Sequence, residues 1–172
     1  MGLILVLGGI RSGKSGHAVG LAREAGGRVT VIATGIAEDA EMQERIAVHR
    51  RQRPREWTVC EEPRRVGSVV LRGSTDVVLL DSIDGLVAAV GDASQCIAEV
   101  TALVNRCPLV IAVSSEVGLS LVALTEAGRA FSDALGLVNQ GLAALAERVD
   151  LVVAGLPLTL KTDGTWLGHT AK

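Results

Sequence analysis

Gly8-Gly9-Ile10-Arg11-Ser12-Gly13-Lys14-Ser15 fits the pattern G-x-x-x-x-G-K-[ST] without a mismatch. The segments on either side are those the pattern requires. Leu3-Ile4-Leu5-Val6-Leu7 is a short apolar run that reads as a buried strand. After the loop, Ala18, Leu21, Ala22 and Ala25 recur at helical spacing. Strand, glycine loop and helix make a phosphate cradle. The loop's backbone N–H groups point at the α/β-phosphates, and the helix N-terminus adds partial positive charge. Lys14 is placed to reach the β/γ-phosphates, and Ser15 to offer its hydroxyl to Mg²⁺. The pattern predicts nucleotide binding and leaves the reaction to the rest of the chain.

Composition narrows the classes. The 172 residues suit one domain, 1–172, with a sizeable core. Hydrophobic residues make up 48%, and mean hydropathy is +0.39, which argues against disorder. A formal charge of −2 leaves no polyelectrolyte footprint for nucleic acid. Aromatics at 2% provide almost no stacking platform for single strands. No apolar run reaches transmembrane length. The N-terminal run is too short for a signal segment, and Val6 stands where myristoylation wants Ser or Thr. The expected compartment is the cytoplasm. Cys60, Cys96 and Cys107 match no zinc or redox spacing and are expected as reduced, buried thiols.

Along the chain, Gly26-Gly27 ends the first helix. Residues 28–34 read as a β-branched strand, with Gly35 at its C-terminal end. Asp39 caps a helix expected from Ala40 to Arg53, with Met42, Ile46 and Val48 inward and Pro54 as its stop. Trp57 to Cys60 reads as a short strand. Glu61-Glu62-Pro63 opens an expected helix with Val66, Val69 and Val70 inward. Residues 75–81 form a strong strand ending in Asp81, and residues 82–90 are ambiguous between loop and helix. Asp92 or Ser94 caps a helix whose stripe is Ile97, Val100, Leu103 and Val104. Residues 108–114 are the next strand. A long helix is expected from Thr125 to Arg148, bent or broken near Gly136. Residues 149–155 are the last firm strand, extended through Leu156 to Lys161, and the tail from Thr162 is weakly patterned. Alternating strands and helices, with fully apolar strands, predict a mostly parallel sheet covered on both faces. The expected fold is a single α/β domain of the P-loop, RecA-like type.

Chemistry-bearing residues follow from this placement. Asp81 closes an apolar strand and is read as a Mg²⁺ carboxylate, with Asp84 beside it as a second acid. His49 stands among Arg50, Arg51 and Arg53. That cluster is either a solvated cationic face at a helix C-terminus or a phosphate clamp, in which a neutral histidine serves as nucleophile on phosphorus. The residues alone leave both open. His17 and His169 read as surface histidines. Glu61, Glu62 and Glu116 are candidates for ribose, metal or guanidinium contacts, with a solvated surface the plainer reading of lone glutamates. Arg129, Asp133, Asn139 and Gln140 lie along the long helix and read as exposed or capping.

Together these segments resemble the bifunctional adenosylcobinamide kinase/adenosylcobinamide-phosphate guanylyltransferase family of cobalamin biosynthesis. The resemblance rests on Gly8 to Ser15, Ile32-Ala33-Thr34, Glu41-Met42, Arg45-Ile46 with His49 after them, and Arg53-Pro54. Trp57-Thr58, Glu61-Glu62-Pro63, Leu79-Leu80-Asp81 and Ser114 to Gly118 continue it, followed by Arg129-Ala130-Phe131, Asn139-Gln140 and Gly155 to Leu158. It implies two reactions. ATP or GTP phosphorylates the aminopropanol hydroxyl of adenosylcobinamide, and GMP from GTP then moves onto that phosphate, giving adenosylcobinamide-GDP. It implies a GMP–histidine intermediate on His49. Nucleotide contacts are implied at Gly8, Gly9, Ile10, Arg11, Ser12, Gly13, Lys14 and Ser15, at Ala33, Thr34 and Gly35, at Arg50, Arg51, Gln52 and Arg53, and at Glu61 and Asp81. It implies Mg²⁺ on Ser15 and Asp81, and a homotrimer. The chain departs from the family pattern at Val19, at Ser82-Ile83-Asp84, at Ser115, across Leu119 to Ala123, and at Ser132. Two other readings follow from those departures: a kinase-only enzyme on adenosylcobinamide or another alcohol, and a non-catalytic nucleotide-binding module.

Overall fold

The computed structural model describes residues 2–35, 54–71, 75–119 and 122–167. The helix expected over Ala40–Arg53, and His169, lie outside the described residues. The elements in order are β1 Gly2–Gly8, α1 Lys14–Ala25, β2 Val29–Ala33, β3 Thr58–Glu61, β4 Val77–Asp81, α2 Ile83–Val90, α3 Ala93–Val104, β5 Leu109–Ser115, α4 Glu126–Leu145, β6 Arg148–Val153, β7 Leu156–Thr162 and β8 Thr165–Trp166. One sheet carries all the strands among the described residues, in the order β3-β2-β4-β5-β1-β6-β7-β8. It is parallel from β3 to β6 and antiparallel beyond.

Two apolar cores explain why the parallel strands are apolar throughout. On β1, Leu3, Leu5 and Leu7 join Val78 and Leu80 of β4 in a core with Leu86, Val100, Leu135, Val138 and Leu142 from α2, α3 and α4. Val6, Val31, Leu79 and Ile111 point the other way, onto Ala18 and Ala22 of α1. Alternation along each strand thus feeds both faces. The expected helices on both faces are present. Ala18 and Ala22 are buried, and their small side chains let α1 lie close against the sheet.

The Gly26-Gly27 stop and the Asp92 cap act as expected, and Thr125 adds a cap that the sequence reading did not name. Gly26 and Gly27 take φ of 70° and 76° past the end of α1. Asp92 accepts from Gln95 N–H at 2.7 Å, and Thr125 accepts from Gly128 N–H at 3.1 Å. Residues 82–90, ambiguous in sequence, form α2. Cys96 and Cys107 are buried and Cys60 is partly buried, all as free thiols. Burial, helped by Asp92 and Glu99, pushes the Cys96 thiol up to about 11.

Four expectations are corrected. The helix expected after Glu61-Glu62-Pro63 is only a 3₁₀ turn, Val66–Ser68. Gly67 donates its N–H to Glu99 Oε2 at 2.8 Å, and its carbonyl accepts from Arg106. Those backbone groups are spent on α3 and its end, so an i→i−4 ladder does not propagate. Val66 and Val69 are buried, but Val70 is exposed. The long helix runs unbroken through Gly136, because Leu135, Val138 and Leu142 anchor both of its halves. Leu156 to Lys161 does not extend β6 but folds back on it. Ala154 and Gly155, with φ of 52° and 81°, make a two-residue turn that suits a tight hairpin. Asp163 and Gly164 repeat this in the tail, which pairs as β8.

His17, expected at the surface, is instead partly buried and bonded to Asp150 at 2.8 Å. Asp150 also accepts from Arg148 Nε at 3.0 Å and Thr159 Oγ1 at 2.9 Å. Burial alone pushes the Asp150 carboxyl up, yet Arg148, His17 and Thr159 outweigh it and hold the group below the usual carboxylate range. A lowered carboxyl pKa adds stability that is full above the unfolded value, near about 4, and is lost as pH falls through the folded value. The stability gap between the parent and Asp150→Asn should therefore be widest around pH 6 and shrink below about pH 4. Chemical denaturation across that range checks it, and a gap independent of pH refutes it.

Candidate nucleotide-binding site

Six parallel strands end along one rim of the sheet, and their register places the site. Ala33 pairs with Glu61 on one side and Asp81 on the other. Asp81 pairs with Val113, while Gly8 pairs with Ser115 and Val152. The rim thus reads Glu61, Ala33, Asp81, Ser115, Gly8 across adjacent strand ends. β5 intervenes between the acid-bearing β4 and the loop-bearing β1. Two strand spacings put the tips of those strands about 10 Å apart. A triphosphate spans such a gap with one end on the loop.

The glycine loop is shaped by backbone contacts. Ser12 N–H donates to Gly9 O at 3.2 Å, and His17 N–H closes the first turn of α1 on Gly13 O at 3.0 Å. Gly13 takes φ 96°, a conformation that glycine adopts without strain. A Cβ on Gly8 would lie 2.7 Å from Val152 O, so only glycine fits where β1 leaves the sheet. Ile10 and Arg11 are exposed. Lys14 Nζ folds back on Gly9 O at 3.1 Å. No side chain caps the start of α1, and its first turn holds no acid. A helix start in that state favours an anion. Ser12 Oγ, beneath the loop, is buried without a partner.

The neighbouring tips are tied together. Thr34 Oγ1 donates to Ser82 O at 2.5 Å and accepts from Ser82 N–H at 3.0 Å. Asp84 Oδ2 accepts from Ser115 N–H at 3.2 Å, so it braces the end of β5. Glu116 N–H donates to Gly8 O at 3.1 Å. Glu62 accepts from the backbone N–H groups of Arg65 and Arg64, which hold its carboxyl below the usual range. Glu61 stands exposed at the end of β3.

Of the predicted site residues, the structure gathers Gly8 to Ser15, Ala33, Thr34, Gly35, Glu61 and Asp81 on this rim. His49, Arg50, Arg51, Gln52 and Arg53 lie outside the described residues. Ser15 and Asp81 offer the hard oxygen donors that Mg²⁺ selects, and such an ion takes its remaining ligands from phosphate and water. That donor chemistry fits the ion. Among the described residues no group of three or more His, Cys, Asp or Glu could hold a metal by itself.

One residue expected as exposed or capping is instead a buried support of the site. Asn139 is buried, accepts from Ser114 Oγ at 2.6 Å and donates to Ser115 O at 3.0 Å. It pins α4 to the tip of β5. Its spacing from Leu135 and Leu142 placed it on the buried stripe, which was the available signal. Gln140 and Asp133 are exposed as expected. Arg129 donates to the carbonyls of Ala123 and Leu124.

A glycine loop between a buried strand and an uncapped helix, with acids on parallel strand tips beside it, defines a nucleotide-binding α/β enzyme of P-loop NTPase-like fold. Residues 4–160 match the family described as cobinamide kinase / cobinamide phosphate guanyltransferase. The chain belongs to that family, which places it among the phosphoryl- and guanylyl-transferring enzymes of cobalamin biosynthesis. It is 37% identical to a bifunctional adenosylcobalamin biosynthesis protein of Pseudomonas aeruginosa, covering 92% of this chain and 97% of the relative. Identity is 36% to a protein of the same description from Escherichia coli, over 92% of this chain and 99% of the relative. The counterpart from Salmonella typhimurium is 35% identical, with the same coverage.

Gly8→Ala should reshape the loop, because its new methyl group meets the Val152 carbonyl and Ser12 together. The expected result is weakened GTP binding by at least about tenfold, with a lowered melting temperature, since overpacking costs on the order of 1–3 kcal/mol. Calorimetric titration with GTP checks it.

Proposed function

We propose that this chain performs both transfers on one nucleotide site: phosphorylation of adenosylcobinamide, then guanylylation of the resulting phosphate. The observation that carries this is the uncapped, acid-free start of α1 behind the glycine loop, on the rim shared with Asp81. In the first step the aminopropanol hydroxyl of adenosylcobinamide attacks the γ-phosphorus of ATP or GTP, and the nucleoside diphosphate leaves. In the second, an imidazole nitrogen of His49 attacks the α-phosphorus of GTP. The bond to pyrophosphate breaks, and GMP is left on the histidine. An oxygen of adenosylcobinamide phosphate then attacks that phosphorus, frees His49 and yields adenosylcobinamide-GDP. A phosphoramidate divides one difficult displacement into two easier ones.

The residues divide the work. The loop N–H groups and Lys14 take charge on the β- and γ-phosphates. Lys14 leaves Gly9 O to do so, a short swing of a flexible side chain. Arg50, Arg51 and Arg53 neutralise charge on the phosphorus that His49 attacks. Gln52, Ala33, Thr34, Gly35 and Glu61 hold the rest of the nucleotide. Ser15 and Asp81 would hold Mg²⁺, which would supply Lewis-acid stabilisation of charge on the phosphates. A trimer of the chain, working in the cytoplasm where nucleoside triphosphates are abundant, completes the proposal.

Incubation with α-labelled GTP and Mg²⁺ should leave label on the protein, located at His49 by mass spectrometry. His49→Ala should lose the label and guanylyl transfer while keeping kinase turnover. Lys14→Ala should lower both activities by about two orders of magnitude or more, as removal of a preorganised charge donor does. Label persisting in His49→Ala sinks the histidine assignment. Kinase turnover without pyrophosphate release from GTP by the parent points to a kinase-only enzyme.

A further inference from the structure

His17 lies three residues after Lys14, one turn into the helix that Lys14 and Ser15 open. Its amide closes that turn on Gly13 O at 3.0 Å. Its ring Nε2 meets Asp150 Oδ2 at 2.8 Å, and Asp150 is fully buried in β6. Arg148 reaches both carboxylate oxygens, at 3.0 Å through Nε and 2.9 Å through Nη2. Thr159 of β7 donates to Oδ1 at 2.9 Å. A buried carboxylate engaged by three partners has one orientation, so it offers His17 a fixed anchor.

The same hairpin meets the loop at a second place. Gly155, in the β6–β7 turn, donates its N–H to Ser12 O at 2.8 Å. A Cβ on Gly13 would lie 3.3 Å from Gly155 Cα, so the two backbones nearly touch. Loop and first helical turn are therefore held at two points by a single antiparallel unit. The transfer chemistry itself uses neither His17 nor Asp150.

We propose that His17 and Asp150 are positioning residues for the phosphate loop, holding the first turn of α1 against the β6–β7 hairpin so that Lys14 and the loop N–H groups stand ready for a triphosphate. The inference rests on the reading of the glycine loop as the triphosphate site. A loop held in its binding shape before the ligand arrives loses less freedom on binding. Released from Asp150, the turn is ordered by the ligand instead, and affinity falls.

Equilibrium binding of GTP to the folded protein tests this without relying on turnover. His17→Ala should raise Kd roughly tenfold, the size expected for losing a hydrogen bond to a charged group. His17→Gln, whose amide nitrogen reaches a similar point, should restore Kd to within about threefold. Asp150→Asn should weaken binding as His17→Ala does, and it carries the test if His17→Ala does not fold. A merely structural contact would lower the melting temperature and leave Kd unchanged, and that result overturns the proposal. Lys14→Ala separates the two layers. Weak binding in Lys14→Ala with parental Kd in the His17 and Asp150 variants removes only the positioning role. Parental Kd in Lys14→Ala removes the loop reading and the proposal with it.

Discussion

The backbone of the glycine loop rests directly on the backbone of the β6–β7 turn, with the Ser12 carbonyl accepting the Gly155 N–H at 2.8 Å. Main chain meets main chain here because Gly13 carries no side chain: a Cβ on it would lie 3.3 Å from Gly155 Cα. The start of α1 is uncapped because its N-cap residue is Gly13, which has no side chain to accept from the first N–H groups. A phosphate cradle works through backbone N–H groups, so its precision is that of the backbone supporting it. The antiparallel hairpin at the sheet edge is thus part of the site's framework rather than an appendage to it.

The parallel sheet supplies the second requirement. Parallel register brings the C-terminal ends of β1 to β5 to one rim, whatever their separation along the chain. Packing on both faces fixes the strands, but their tips lie beyond the cores and are secured by polar contacts. Thr34 to Ser82, Asp84 to Ser115 and Asn139 to the Ser114–Ser115 corner link neighbouring tips in turn. Ser82 and Ser115 take part through backbone groups, and Asp84 through its carboxylate.

Much of this was legible in advance. Apolar runs of strand length, glycine breaks and a capping Asp92 are local signals, and the structure obeys them. The reading failed where a distant partner outbid a local preference. Val66, Val69 and Val70 carry helical spacing, but Gly67 gives its N–H to Glu99 and its carbonyl to Arg106. Leu156 to Lys161 has strand character, and only the positive φ of Ala154 shows that the strand reverses. His17 looks like a surface histidine until β6 delivers a carboxylate to it. Asn139 sits on a buried stripe, yet its partners belong to another element.

Sequence by itself determined the phosphate loop, the alternation of strand and helix, the parallel class of the sheet and the family to which the chain belongs. Each is written in contiguous residues or short periodicities, where covalent geometry and local burial decide. Tertiary structure alone decided which strand tips stand side by side, how the tail folds back, and what steadies the loop. His17 and Asp150 are 133 residues apart, and no local rule connects them. They meet because the sheet inserts β6 next to β1, beneath the helix that β1 feeds. Pairings across such distances are set by the free energy of the whole packed sheet, which no single segment contains.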